Sequence, residues 1–164
     1  PSRLIYPSWS DLSDLTLIHW PKVLLIRESL ASGKGLPLWS TYALSGQPLA
    51  PNQLAMLFYP PALLLQVSPM SWAFSLFYAL HVAWAGIGTY WLVRGLGLHP
   101  ESALLAAVIY ALGGKLVAHI AGGHVSLVAA LAWTPCALGA LHRLLIQRKV
   151  GHARLEHTPG EIVG

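Results

Sequence analysis

The sequence predicts an all-α membrane protein with about three transmembrane helices, preceded by an external loop region with an amphipathic helix and a re-entrant or interfacial segment. Of the 164 residues, 55% are hydrophobic and only 10% are charged, whereas a soluble domain carries about 25% charged residues. A chain of this size still exposes much of its surface, so lipid is the simplest solvent for the excess apolar side chains. Three long apolar stretches, about residues 72–93, 103–121 and 125–146, approach the roughly 20 residues that a membrane-spanning helix needs.

Residues 1–71 are predicted to form the external loop region. Within it, the stretch from Pro21 to Ser32 is predicted to be a helix, because proline suits the first helical turn and Gly33 suits the C-terminal cap. Three apolar residues would share one face of this helix: Val23, Ile26 and Leu30. An amphipathic helix on the membrane surface fits this pattern.

The apolar segment 54–67 is interrupted by Pro60-Pro61. It is too short to span a bilayer, so we interpret it as re-entrant or interfacial. Backbone groups left unpaired at the prolines would have to face protein or water. The stretches 35–39 and 45–48 contain the glycine and proline residues typical of turns.

The predicted spans, residues 72–146, are separated by short turns. Residues 94–100 connect the first two spans, and Gly122-Gly123 form a tight turn before the third. Pro135 is expected to kink the third span, and residues 147–164 are predicted to be a polar tail. Four glycines in or beside the spans would allow close helix packing: Gly86, Gly88, Gly113 and Gly114.

The orientation follows from basic residues after the third span. Four of them cluster near the C-terminus: Arg143, Arg148, Lys149 and Arg154. Such a cluster is typical of a cytoplasmic flank, which places the C-terminus inside, and residues 1–71 and the Gly122-Gly123 turn outside. The basic residues form no stripe interleaved with aromatic residues, so membrane lipid rather than nucleic acid is the expected partner. Because the chain begins at Pro1 without a signal-like pattern, we expect further sequence upstream.

Five polar residues are predicted to converge on the external side. Lys115 and His119 are four residues apart and share a helix face, His124 follows the external turn, and Asp11 and Asp14 belong to the external loop region. A carboxylate there could act as a general base or bind a divalent metal, and the cations could meet a phosphate-bearing lipid. Alternatively, the two aspartates cap a helix, while Lys115 snorkels and the histidines lie among the lipid headgroups.

Two further residues have a structural and a functional interpretation. His81 lies near the middle of the first span, where it could ligate haem or a pigment, or hydrogen-bond to a neighbouring helix. Cys136 is the single cysteine, so an intramolecular disulfide and a cysteine zinc site are excluded. It is predicted to be a small core residue.

Short motifs follow one another in a fixed order between about residues 10 and 146. They are Ser13-Asp14-Leu15, His19-Trp20-Pro21, Gly35-Leu36-Pro37-Leu38-Trp39, Ser45-Gly46-Gln47-Pro48-Leu49-Ala50, Phe58-Tyr59-Pro60-Pro61, Arg94-Gly95-Leu96-Gly97-Leu98, Tyr110-Ala111-Leu112-Gly113-Gly114, Gly123-His124 and Ala132-Trp133-Thr134-Pro135. This ordered set resembles the N-terminal part of YfhO-like bacterial multi-spanning proteins, which are similar to GT-C glycosyltransferases.

The resemblance implies a portion of an enzyme of the bacterial cytoplasmic membrane that uses a polyprenyl-phosphate-linked sugar donor at the external face. Asp14 best matches the acidic residue near the reaction centre of GT-C enzymes, with Asp11 as a neighbour without a clear match. His124 matches the histidine after the external turn, and His119 and Lys115 would join it in binding the donor. Lys115 departs from the apolar or aromatic residue expected there, and Ser40-Thr41 stands where Asn-Pro is expected.

The alternative belongs to another class of protein. Three spans rich in glycine and alanine, with few charges, would also suit a small accessory or structural subunit. Such a subunit would pack in a larger membrane complex without catalysing a reaction.

Overall fold

The computed structural model describes residues 13–41 and 45–156, and over these residues the protein is mostly helical. The helices and strands are α1 (Trp20–Ala31), β1 (Trp39–Ser40), β2 (Gln47–Pro48), α2 (Leu64–Val67), α3 (Met70–Gly95), α4 (Pro100–Ala111), α5 (Gly114–Ala121) and α6 (Val125–Glu156). A π-helical turn, Leu15–His19, precedes α1, and two short 3-10 turns, Gln53–Ala55 and Pro60–Leu63, precede α2.

Three helical stretches are long and apolar enough to cross a membrane: Trp72–Gly95, Pro100–Ala121 and Val125–Arg148. The three predicted stretches of spanning length are therefore confirmed. The third helix continues further than expected, because α6 remains helical to Glu156 and takes in the first part of the predicted polar tail.

The second candidate span is divided into two helices at Gly113. The sequence predicted one helix, but Gly113 is extended, with φ −63° and ψ 148°. A Cβ atom added at this position would lie 2.6 Å from the carbonyl oxygen of Ile109. Because glycine has no Cβ atom, the backbone can turn sharply next to the last turn of α4. This turn separates α5 from α4.

Helix α1 agrees with the helix predicted over Pro21–Ser32, but it is packed differently from the expectation. Val23 and Ile26 are buried, whereas Leu30 is 42% exposed. Val23 packs in the same core as Phe74 and Val125. Val23 and Ile26 therefore hold the helix against neighbouring parts of the fold, and its location on the membrane surface stays a prediction.

The segment predicted to be re-entrant or interfacial folds into the second 3-10 turn and α2. Its end is held by Arg27 on α1, whose Nε donates to the carbonyl oxygen of Leu65 at 2.8 Å and whose Nη2 donates to that of Ser68 at 2.7 Å. Carbonyl groups at a helix end lack helical partners, so this guanidinium supplies donors that α2 itself cannot.

The fold also contains a small antiparallel sheet, although turns alone were predicted for this region. Trp39 pairs with Pro48 and Ser40 pairs with Gln47. Each strand has only two residues, too short to be recognised from alternating hydrophobicity.

The main core joins the N-terminal region to one end of the bundle. Its buried members come from the π-helical turn, α1, the second 3-10 turn, α2, α3 and α6: Leu15, Val23, Ala62, Leu65, Ala73, Phe74, Phe77, Tyr78, Val125, Val128 and Ala129. Ile120 of α5 packs against this core. The N-terminal region and the turn between α5 and α6 therefore lie at the same end of the molecule.

Two glycines of α3 allow the close helix contacts that were expected. A Cβ atom added at Gly88 would lie 2.7 Å from Sγ of Cys136 on α6, and one at Gly86 would lie 3.5 Å from Cβ of Ala111 on α4. Helix α3 thus contacts α6 on one side and α4 on another.

Gly88→Ala is expected to lower the free energy of unfolding by about 1–2 kcal/mol, because the added methyl group overlaps the Cys136 sulfur. Unfolding by SDS in mixed micelles measures this change. The Gly88→Ala/Cys136→Ala double variant should regain most of the loss. Gly95→Ala is the matched control, since nothing lies within 4 Å of a Cβ atom there. Equal effects of the substitutions at residues 88 and 95 would contradict the contact.

Candidate functional site

Asp14 stands at the beginning of the π-helical turn, held in place by the burial of Leu15 beside it. Its side chain makes no capping hydrogen bond, so Asp14 does not have the predicted alternative role of a cap. Instead, its Oδ2 lies 3.3 Å from Nε2 of His124. The carboxylate is 46% exposed and the imidazole 40%, so both remain accessible.

The turn between α5 and α6 brings two histidines together. Nδ1 of His119 lies 3.0 Å from Nδ1 of His124. Gly123 has φ +77°, which favours glycine, and a Cβ atom at Gly122 would lie 3.1 Å from Cε1 of His124. The two glycines therefore allow the tight turn that directs the His124 ring back toward α5.

Asp14, His124 and His119 form a chain of groups that can exchange protons. An ionised carboxylate only accepts hydrogen bonds, so Nε2–H of His124 is the hydrogen that faces Asp14. In the neutral ring, Nδ1 then accepts from Nδ1–H of His119. One proton therefore lies between the two imidazole rings, and Nε2 of His119 is the ring nitrogen left to meet a ligand.

His19 lies beside this group and was given no role from the sequence. It is 3% exposed, and its Nδ1 donates to the carbonyl oxygen of Leu54 at 3.2 Å. Burial, followed by the positive charge of Lys22, lowers the pKa of His19 from 6.5 to about 4. His19 is therefore uncharged at neutral pH and has a structural role. This role depends on a hydrogen bond to residue 54, which is distant in sequence, so the local sequence does not indicate it.

Lys115, another predicted site residue, is not part of this group. Lys115 is exposed on α5 and borders a different cavity. Within the part of the chain that the structure describes, no hydrogen bond or ion pair joins Lys115 to Asp14, His119 or His124. Asp11 lies outside the described residues.

The divalent metal at Asp14 stays a prediction, since Asp11 beside it lies outside the described residues. Across residues 13–41 and 45–156, no group of three or more His, Cys, Asp or Glu side chains could hold a metal ion. In the site itself, both nitrogens of His124 already face other residues.

A cavity of about 650 Å³ opens between the loop 50–59 and the first turns of α6. Ser126, two residues after His124, lies in its wall together with Asn52, Phe58, Tyr59 and Trp133. None of the lining residues is charged. The site therefore has an uncharged cleft beside it, within the size range of small-molecule sites.

Hydrogen bonds fix two aromatic rings of this cavity. Nε1 of Trp133 donates to the hydroxyl of Tyr59 at 2.7 Å, and that hydroxyl donates to Nε2 of His81 at 2.7 Å. Nδ1 of His81 in turn donates to the carbonyl oxygen of Phe77 at 2.7 Å. Burial raises the pKa of Tyr59, which keeps its hydroxyl a donor. His81 therefore does not bond to a neighbouring helix as predicted: its partners are Tyr59 in the loop and the backbone of its own helix, and neither ring nitrogen is free for a haem or pigment.

Comparison with protein-family models, curated proteins and solved structures gave no match. The function of the protein must therefore be inferred from its own residues.

Tyr59→Phe is expected to lower the free energy of unfolding by about 1–3 kcal/mol, because it leaves Nε1 of Trp133 and Nε2 of His81 without partners. The same SDS titration measures the effect. Tyr90→Phe is the control, because the Tyr90 hydroxyl has no hydrogen-bond partner among the described residues. If the two substitutions had equal effects, the chain of hydrogen bonds would not contribute to stability.

Proposed function

We propose that this chain is the N-terminal part of a GT-C-like glycosyltransferase, similar to the YfhO-like proteins, in the bacterial cytoplasmic membrane. The enzyme would transfer a sugar from a polyprenyl phosphate to an acceptor hydroxyl at the extracytoplasmic face. The observation that carries the proposal is the 3.3 Å contact between Asp14 and His124, two residues that the motif order assigned to the same reaction centre.

In the proposed reaction, the oxygen of the acceptor hydroxyl forms a bond with the anomeric carbon of the sugar. The bond between that carbon and the phosphate oxygen breaks, and the electron pair leaves on the phosphate. Asp14 accepts the acceptor's proton as a general base. His119, as an imidazolium, supplies an Nε2–H donor to the phosphate, because its Nδ1–H already donates to His124.

The location of the site supports this reaction. The N-terminal region and the turn between α5 and α6 share one end of the candidate spans, where a lipid phosphate would lie at the headgroup level. The uncharged cleft of about 650 Å³ adjoins the same turn. A sugar carried on a lipid could therefore reach Asp14 without leaving the membrane surface.

The proposal is tested with the protein expressed from its complete gene and reconstituted in liposomes. Radiolabelled polyprenyl-phosphate glucose, mannose and galactose are supplied with a membrane extract as the source of acceptor. Transfer of label from at least one donor, with release of polyprenyl phosphate, is the expected result. If all three donors remained intact while a known polyprenyl-phosphate glycosyltransferase consumed its own donor in parallel, the proposed reaction would be rejected.

One observation favours the second candidate function, an accessory subunit. Helix α4 packs chiefly against α3, and its outer residues Leu104, Leu105 and Ile109 are each more than 60% exposed. Such a surface can be covered by lipid or by another membrane protein. Purification in mild detergent with a stoichiometric partner and without bound polyprenyl lipid would favour the subunit over the enzyme.

A further inference from the structure

Lys115 is a charged residue within a candidate span. It is exposed on α5, six positions before the end of the stretch Pro100–Ala121, or about 9 Å from that end at the helical rise per residue. The Cα–Cβ bond of a helical residue tilts toward the N-terminus, so the side chain starts away from the nearer membrane surface. Charged groups at such depth are costly and usually have a polar partner.

The neighbouring residues do not supply an opposite charge. Lys115 borders a cavity of about 570 Å³, and the other polar side chains of its wall are Thr89 and Tyr110. Their hydroxyl groups donate to the carbonyl oxygens of Ala85 and Leu131, at 2.8 and 2.9 Å. Both are neutral, and the structure shows no ion pair of Lys115 with any described residue.

The described residues of a second copy offer no suitable charge either. The six acidic residues of the sequence are Asp11, Asp14, Glu28, Glu101, Glu156 and Glu161. Among the residues that the structure describes, only Glu101 falls within a candidate span, next to Pro100 at the opposite end of the stretch from Lys115. The described residues therefore place no carboxylate in a span at the position of Lys115.

The surface around Lys115 is suited to helix packing. Ile109, Leu112 and Val117 are 62%, 65% and 51% exposed, and Gly113 and Gly114 remove side-chain bulk at the break between α4 and α5. We propose that this face docks a transmembrane helix from outside these 164 residues, one that carries an Asp or Glu at the depth of Lys115. The inference is independent of the proposed sugar transfer, because no hydrogen bond or ion pair among the described residues joins Lys115 to Asp14, His119 or His124.

The test uses a synthetic probe. The full chain is reconstituted in phosphatidylcholine vesicles at pH 8 with a leucine-rich 21-residue transmembrane peptide that carries a fluorescence acceptor and no tryptophan. One Glu is placed at the depth of Lys115, and a second peptide has Gln there. Energy transfer from the tryptophans of the protein should show that the Glu peptide associates about 5- to 30-fold more tightly than the Gln peptide.

Three variants make the test specific. Lys115→Met should abolish the preference for Glu, Lys115→Arg should keep it, and Lys115→Glu should instead favour a peptide with Lys. Lys34→Met, which removes an exposed lysine of the loop after α1, is the matched control and should behave like the unaltered protein. Equal binding of the Glu and Gln peptides would overturn the proposal. So would a Lys115-dependent preference for phosphatidylglycerol vesicles without any preference for the Glu peptide, since a lipid headgroup would then be the partner.

Discussion

Asp14→Asn is expected to reduce sugar transfer by the complete protein about 10²- to 10⁴-fold, the usual contribution of a general base. Asparagine has the same shape and keeps an oxygen atom at the 3.3 Å contact with Nε2 of His124, so the local structure should persist. Asparagine has no basic oxygen that could take the proton of the acceptor hydroxyl. The measurement is the initial rate of label transfer from polyprenyl-phosphate sugar in liposomes, with the amount of folded protein checked by size-exclusion chromatography.

Glu28→Gln is the matched control for this prediction. Glu28 is an exposed carboxylate on α1, close to Asp14 in sequence but without an ion pair in the part of the chain that the structure describes. Its replacement should leave the transfer rate within about two-fold of the unaltered protein, as expected for a residue remote from the chemistry. If the unaltered protein transfers sugar and the Asp14→Asn protein does so at the same rate, Asp14 is excluded as the base.

Acidification is expected to destabilise the N-terminal region through His19. Its pKa is about 4 in the folded protein and 6.5 ordinarily, so between these values the unfolded chain binds more protons than the folded one. Stability therefore rises with pH in this window. The contribution of neutral His19 is complete above pH 6.5 and is lost as the pH falls toward 4. The loss amounts to up to about 3 kcal/mol.

His19→Asn isolates this effect, because the asparagine amide can donate to the Leu54 carbonyl group in place of Nδ1 and does not titrate. Unfolding by SDS is measured at pH 7.5 and pH 4.5 for both proteins, so that the effect of pH on the rest of the molecule cancels in the comparison. The His19→Asn protein should lose less stability than the unaltered protein. His99→Asn, at a histidine whose side chain is 82% exposed, should lose as much as the unaltered protein. If His19→Asn lost as much stability as His99→Asn, the buried neutral state of His19 would be disproved.

The sequence predicted which residues of the candidate site lie on the same side of the membrane, but not which of them contact one another. Asp14 and His124 were predicted to lie on the same side of the membrane. Successive spans run in opposite directions, so the number of spans between two segments decides whether those segments lie on the same side. That reasoning places residues on a side, but it does not show which of them touch. Lys115 lies on the same helix as His119 and was predicted to lie on the same side of the membrane, yet it borders another cavity.

The residues that hold the site together were not predictable from local patterns. Arg27 donates to residues 65 and 68, and Trp133 donates to Tyr59. Each of these contacts joins positions at least 38 residues apart, and no short motif indicates such a pairing. A histidine such as His19 has the same local sequence whether it is buried and neutral or exposed and charged.

The sequence by itself determined the three apolar stretches of spanning length and the turns between them, because the low charge and the continuous hydrophobicity are properties of each segment alone. The tertiary structure decided the break at Gly113, the packing of α1 against the bundle, and the separation of Lys115 from the Asp14–His124–His119 group. These features depend on which distant atoms come within a few ångströms of one another, and that is set by the packing of the whole chain.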